Sequence, residues 1–404
     1  MSLDAEDTTA APALIPMHCL QFTTPGPPVL ATLVTGTPVW VVRRHADVRQ
    51  VLTDPRLNRT SLYGPDAPPL TPYPNLLDDP DGLLNLDGIE HQRLRRTVQR
   101  AFTPRAIARW RPWVASVVDG LLDDLTDGGQ PTDLVASFTR PLPVAVISRL
   151  MGLDGLDLKR LGHWSDHALS AAAYSAEQVQ EAMLEFGMFA AALVTERRRA
   201  PGDDLVSSLV QACDQDGEVT EGQLISLVCG LVVAGHETTM TSLGNALVYL
   251  LGEAEAREDW QRIGTGEEAA AAAAEQLLRT VPLGDSEMLP GLLRRAVEDV
   301  EIGGVTIPAG SVVAADTRPA NLDPAVYGGQ GGRDLFAPLP TPSLTFGAGP
   351  HHCLGAWLAR MELELALHRL SRRLPGLRLE VDPESIEWRR GLLTRSPLVL
   401  PVGW

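Results

Sequence analysis

Lysine is almost missing from this chain. Lys159 is the only one in 404 residues, and the remaining formal positive charge is arginine. Acidic residues outnumber Lys and Arg by 51 to 34, leaving a net charge of −17. That balance excludes nucleic acid as the main partner, because a polyphosphate would be repelled. Aromatic residues are only 5% while hydrophobic residues reach 44%, so the core has to be built from aliphatic side chains. The four cysteines, Cys19, Cys213, Cys229 and Cys353, lack the spacing of a disulfide framework or of the paired ligands of a zinc site. There is no basic segment followed by an apolar stretch at the N-terminus, and no run of about 18 uncharged apolar residues. These absences predict a soluble, cytoplasmic protein with no membrane partner. The shortage of lysine and the abundance of alanine suit a high-GC bacterial source.

The length allows one large domain or two to three ordinary ones. Residues 1–28, rich in Pro, Thr and Ala, are expected to be irregular, with a single domain over 29–404. Residues 34–43 alternate and contain β-branched side chains, which predicts strands. A short helix is expected over 46–52. Residues 54–85 form a Pro- and Asp-rich stretch, a long loop of the kind that more often serves function. From 91 to about 213 the pattern is helical, with breaks at Thr103-Pro104, Gly128-Gly129 and Pro201-Gly202. Residues 221–251 are a long apolar helical run. Residues 267–280 form another helix, whose alanine tract 269–274 reads as a strong helix former on a surface. Gly303-Gly304 predicts a hairpin within 300–313. Coil follows over most of 318–350, and a last strand is expected at 398–400. The sum is mainly helix with a smaller β-rich region, and no internal repeat.

Against that background, ten residues stand out: Phe346-Gly347-Ala348-Gly349-Pro350-His351-His352-Cys353-Leu354-Gly355. They set one cysteine at the end of a glycine-rich loop, just before a helical run. Loop N–H groups and the helix N-terminus there would favour a thiolate able to bind a metal, and the glycines let backbone approach a flat ligand. A lone cysteine beside glycines can also be ordinary packing. Inside the long apolar run lies Ala234-Gly235-His236-Glu237-Thr238-Thr239. Glycine and paired threonines are poor mid-helix residues, and a threonine hydroxyl can bond the carbonyl one turn back and bend the helix. Glu237 and Thr238 could then act as a carboxylate–hydroxyl proton relay. Position 240 is Met240, so the His-Glu-x-x-His pattern of zinc proteases is not completed. His91 and Arg95, four apart, share one helix face.

The loop is similar to the haem-ligating loop of the cytochrome P450 family, matching it at Phe346, Gly347, Gly349, His351, Cys353 and Gly355. The order of elements resembles that family's fold from about Val34 onward. The resemblance implies a mainly α protein with haem b, iron being bound by the thiolate of Cys353 and Phe346 shielding its sulfur. It implies propionate contacts from His91, Arg95, Arg294 and His351, close backbone approach at Gly347 and Gly355, and oxygen activation by the segment Ala234, Gly235, Glu237 and Thr238. The implied reaction is monooxygenation, hydroxylation or epoxidation, of a small organic molecule with dioxygen, in secondary metabolism. A ferredoxin and its reductase would supply electrons, since no flavin or NAD fingerprint is present, and Arg93, Arg96, Arg100 and Arg105 offer an acidic carrier a dock. Oxidative C–C or C–N coupling is a second reading, and a non-catalytic family-like partner protein a third. By resemblance the substrate pocket comes from 60–85, 165–180, 227–234, 282–293 and 392–394. Two positions depart from the family pattern. Gln276 stands where Glu-x-x-Arg would place a glutamate before Arg279, and Leu322 where a loop arginine is expected. Gln276 can still accept a hydrogen bond from Arg279, so folding and haem retention are expected to survive.

Overall fold

The long apolar run folds as one helix, and the other elements are built against it. A computed structural model of the protein describes residues 24–63, 66–71, 78–153, 155–217, 219–253, 256–284, 291–328 and 334–404. Most of the N-terminal segment expected to be irregular, and parts of the loop 54–85, lie outside the described residues. In chain order the elements are β1 Val29–Thr32, β2 Pro38–Val42, α1 His45–Thr53, β3 Leu57–Asn58, α2 Gly88–Gln99, α3 Pro104–Ala108, α4 Arg111–Asp127, β4 Thr132–Asp133, α5 Pro141–Met151, α6 Leu158–Ala168, α7 Ala176–Arg199, α8 Leu205–Asp216 and α9 Glu221–Gly252. There follow α10 Arg257–Ile263, α11 Glu267–Thr280, β5 Leu292–Ala296, β6 Val300–Ile302, β7 Val305–Ile307, β8 Val312–Ala315, α12 Thr317–Asn321, α13 Pro324–Tyr327, α14 Ala356–Arg373, β9 Arg378–Leu379 and β10 Pro401–Gly403.

The main sheet has the order β1-β2-β8-β5-β3. Only β2 and β8 run parallel, with Val39 opposite Val312, and β5 pairs β8 antiparallel with Arg294 opposite Val313. A second sheet orders β4-β10-β9, and β6–β7 is the expected hairpin. Its turn is Gly303-Gly304, both with positive φ, as a two-residue turn needs.

Local signals explain where the helices begin. Thr220 and Gln223 form a capping box at the start of α9, each side chain bonding the other's backbone N–H, and Ser175 and Gln178 do the same for α7. Expected breaks at 103–104, 128–129 and 201–202 are present. Further breaks occur at Gly152, left-handed at φ 70°, and over residues 169–175, where three Ala N–H groups turn away to another part of the chain. Within 34–43 the expected strand forms at Pro38–Val42, and a further strand, Val29–Thr32, precedes it across a turn closed by Leu33 and Gly36. The last strand is Pro401–Gly403 instead of 398–400: Leu400 N–H donates to the Asp133 carboxylate rather than to a strand. The stretch 318–350 is not all coil, since Asp316 and Asp323 cap the short helices α12 and α13.

The alanine tract is not a surface feature. Ala270, Ala273 and Ala274 are buried where α11 packs on α14, a contact that small side chains let close tightly. Helix α9 is long and apolar enough to cross a membrane by length and composition, yet most of it is buried within the protein. It packs on α5 and α7. A Cβ on Gly235 would lie 2.4 Å from Ile147 Cδ1, so this close α5–α9 approach requires glycine.

Candidate functional site

The loop before α14 is shaped by its glycines. Gly347 and Gly349 both have positive φ, and a Cβ on Gly349 would lie 2.7 Å from the Leu52 carbonyl oxygen at the end of α1. Cys353 N–H donates to Phe346 O at 2.8 Å, closing the loop into a narrow turn with the sulfur beyond it. The Arg360 guanidinium lies 4.5 Å from the Phe346 ring centre. Cys353 opens onto an internal slot of two adjoining cavities, about 490 and 360 Å³. Thr238, Thr239, Phe346, His351 and Cys353 line both. The sulfur is open to the slot and surrounded by protein on its other sides. Burial therefore raises the thiol pKa, opposed by a Gly355 N–H bond and by the charges of Arg95 and Arg360. The expected favouring of the thiolate by the loop is present but weaker than desolvation. A bound cation would reverse that balance, since a metal deprotonates the thiol it binds.

One wall of the slot is cationic. His91 and His351 have ring centres 4.2 Å apart, and Arg95 and Arg294 line the same slot. His351 Nε2 pairs with Asp87 Oδ1 at 2.9 Å, and Arg95 Nη2 donates to His352 O at 2.6 Å. Arg294, 3% exposed, donates through Nη1 to Leu293 O at 2.8 Å. His91 Nε2 is buried without a hydrogen-bond partner among the described residues. Burial and then the charges of His351 and Arg95 push the His91 pKa down to about 4. A buried ring nitrogen without a partner, beside two guanidinium groups that form no ion pair among the described residues, is what a dianionic ligand would complete. The two glycines fit a flat group: Gly347 and Gly355 both line the slot, and a Cβ on Gly355 would project into open space. The residues present therefore fit a planar cofactor with two carboxylates, its metal at Cys353.

The segment Ala234–Thr239 stays helical. Thr238 Oγ1 donates to Ala234 O at 2.8 Å, the one-turn-back bond expected of it. Ala234, Gly235 and Thr238 line the slot. Glu237 is turned elsewhere. Its buried carboxylate pairs with Arg389, which also pairs with Asp166 of α6. Thr394 Oγ1 donates to Glu237 Oε1 at 3.4 Å, and Thr394 lines the slot. The carboxylate thus meets the cavity through Thr394, while the neighbouring Thr238 hydroxyl is spent on its own helix. The adjacent His236 is a core histidine, bonded to Ser165 Oγ and Val232 O.

The expected pocket segments converge here: Leu83 and Asn85, Leu169, Leu227 and Leu231, Leu283 and Leu292, and Leu393 all line the slot. Residues with no motif to mark them also do. Glu362 of α14 is 1% exposed, neither carboxyl oxygen is hydrogen-bonded among the described residues, and burial raises its pKa well above the ordinary value. Behind Arg294 stands Arg59, buried and bonded to Asn85, Tyr63 and Leu293 O. Away from the slot, Gln276 Oε1 accepts from Arg279 Nε at 2.9 Å and Nη2 at 2.8 Å. Gln276 Nε2 donates to Ala337 O, and Arg279 Nη1 to Asn321 O. The amide therefore keeps the fork to arginine and adds a donor that a carboxylate lacks.

Comparison with known proteins agrees with this geometry. The cytochrome P450 family model matches residues 286–399, which include Arg294 and the cysteine loop. Nocardicin C N-oxygenase of Nocardia uniformis is 41% identical over 94% of this chain and 92% of its own. Mycinamicin IV hydroxylase/epoxidase of Micromonospora griseorubida is 42% identical over 91% and 90%. The chain belongs to the cytochrome P450 family. The solved structure of HinD with NMFT and NO superposes with a TM-score of 0.88 at 36% identity, covering 98% of each chain. The mainly helical P450 fold with its smaller β-rich region is thereby established, and the chain is a cytochrome P450 monooxygenase. Haem held by a cysteine thiolate is the cofactor of such an enzyme.

Proposed function

We propose that this P450 inserts one atom of dioxygen into a small, mostly apolar organic molecule of secondary metabolism, with Cys353 as the iron ligand. The single observation that carries the assignment is the placement of Cys353 in a slot whose wall also holds the buried Arg294, without a carboxylate partner among the described residues, and the unpartnered His91 Nε2. When bound, haem would supply dioxygen activation, and the Cys353 thiolate would supply it with electron density. His91, Arg95, Arg294 and His351 hold its carboxylates, and Gly347 and Gly355 leave room for its plane. Phe346 covers the sulfur. Arg95, Arg360 and the Gly355 N–H hold the sulfur's negative charge.

Proton delivery is the role assigned to Glu237, Thr238 and Thr394. The Glu237 carboxylate reaches the cavity through the Thr394 hydroxyl, and Thr238, which lines both cavities as Cys353 does, keeps an oxygen able to accept while its O–H bonds Ala234 O. Ala234 and Gly235 keep the α9 face low. The cavity walls carry leucines from five segments, which favours an apolar substrate. N-oxygenation and hydroxylation or epoxidation are named for the two relatives above, so this enzyme's oxygen acceptor is a carbon or a nitrogen of the substrate.

Electrons would come from a ferredoxin and its reductase in the cytoplasm. Arg96, Arg100 and Arg105 are exposed on α2 and the segment after it, beside the Arg95 that touches the cysteine loop. A basic patch on an otherwise acidic protein suits an acidic carrier. The test is optical and chemical. The reduced, carbon monoxide-treated holoprotein should show the red-shifted Soret band of thiolate ligation, lost in Cys353→Ala. Product mass then separates the reactions: a gain of one oxygen supports monooxygenation, and a loss of two hydrogens with no added oxygen would replace it by oxidative coupling.

A further inference from the structure

Arg59 is 5% exposed, and among the described residues the acceptors of its guanidinium are all neutral. Nε and Nη2 fork onto Asn85 Oδ1 at 3.0 and 2.7 Å, Nη2 also reaches the Tyr63 hydroxyl at 3.0 Å, and Nη1 reaches Leu293 O at 3.3 Å. Arg294 Nη1 donates to that same carbonyl oxygen. The two guanidinium groups therefore stand side by side, both buried, and neither forms an ion pair with a carboxylate among the described residues. The nearest acids are Asp87 and Asp78. Asp87 already accepts from His351, from Thr60 Oγ1 and from the backbone N–H groups of Arg59 and Thr60. Burying two adjacent like charges is costly unless an anion joins them. Burial and the Arg59 charge together push the Arg294 pKa down to about 10.

Arg294 faces the slot and Arg59 lies behind it. We infer that Arg59 is a positioning residue for the haem carboxylates: it adds a second buried cation behind Arg294 and fixes the Asn85 loop at the slot's edge. It touches neither the cofactor nor the substrate. Its charge favours the dianionic ligand, and it favours the reduced iron, because reduction adds one negative charge nearby. This rests on the haem reading above.

The test uses the holoenzyme and three variants. Arg59→Met removes the charge at similar bulk. Arg59→Lys keeps the charge but loses the planar fork. Asn85→Asp keeps the guanidinium and neutralises it with a carboxylate. The readouts are the haem reduction potential by optical titration, and the rate of haem transfer to excess apomyoglobin. Arg59→Met should move the potential negative and speed haem loss on the order of tenfold, as expected for one buried charge at short range. Asn85→Asp should shift the potential in the same direction, which keeps the proposal testable should Arg59→Met fold poorly. Arg59→Lys should stay near wild type in potential even where its melting temperature falls. Wild-type potential and haem retention in both Arg59→Met and Asn85→Asp would overturn the inference. So would a Lys variant that shifts as far as Met, which would reduce Arg59 to a structural clasp. A wild-type protein that never loads haem would instead overturn the reading of the site.

Discussion

His91 shows what a single side chain reports about its missing neighbour. Its ring is buried, Nε2 has no partner, and the charges facing it are mostly positive: His351, Arg95 and Arg294, against Asp87 alone. The folded apoprotein holds its pKa at about 4, below the ordinary 6.5. An unfolded chain takes up this proton below 6.5, while the fold refuses it until about 4. The stability from a neutral His91 is thus complete above pH 6.5 and is lost as pH falls toward 4. Anionic carboxylates beside the ring would raise its pKa and shrink that loss. Melting temperatures of apoprotein and haem-loaded protein between pH 4 and 8 should therefore diverge as pH falls, and His91→Phe should narrow the gap. Parallel curves would contradict the placement of anions at His91. At this scale the cysteine loop, the His91–Arg95 pair and the Ala234–Thr239 segment were legible because each is a local string. Arg59, Glu362 and Arg389 were not, since what makes each of them matter comes from residues distant in the chain.

At the scale of elements, α9 could be read from its long apolar run and α11 from its alanine-rich stretch, while the break at Gly152 and the shift of the last strand could not. Those depend on tertiary partners: a left-handed glycine in one case, an aspartate capping Leu400 in the other. The α11 departure is informative for the same reason. Seen as a string, Gln276 looks like a lost charge. In place, its amide accepts a fork from Arg279 and donates to Ala337, so α11 is tied both to its own arginine and to the segment before the cysteine loop. Tyr327 covers the guanidinium at 4.6 Å. Gln276→Leu would strip a buried arginine of its fork and should cost about 3 kcal/mol. Gln276→Glu should change stability by about 1 kcal/mol or less, because stronger bonds to Arg279 are offset by a carboxylate oxygen facing Ala337 O. Urea midpoints of the two variants check this. A Leu variant as stable as wild type would show that the fork contributes nothing.

For the whole molecule, the end of the chain closes the site that its middle forms. The turn over 388–397 reaches three distant elements. Arg389 joins Glu237 of α9 to Asp166 of α6, Arg395 N–H donates to Leu283 O, and the Gly391 carbonyl accepts from the N–H groups of Ala171, Ala172 and Ala173 between α6 and α7. Leu393 N–H adds a bond to Leu169 O, and both leucines line the slot. The family resemblance already grouped 165–180, 282–293 and 392–394 at the pocket, but the backbone bonds that join them have no sequence motif. At their centre Gly391 has a φ of 72°, a left-handed conformation that favours glycine. A Cβ there would lie 2.8 Å from Ala173 N, so Gly391→Ala must push the α6–α7 connection off the turn. The strain and the lost bonds should cost about 2 kcal/mol. The effect should be confined to this corner, since the sheet β4-β10-β9 is held by separate bonds. Amide hydrogen exchange at Ala171–Ala173 should accelerate in Gly391→Ala while exchange at Val402 stays slow, and the substrate-induced spectral shift should require higher substrate concentration. Unchanged exchange at the three alanines would mean that the α6–α7 connection holds its place without the turn, and that the chain's end is a neighbour of the pocket but not its fastening.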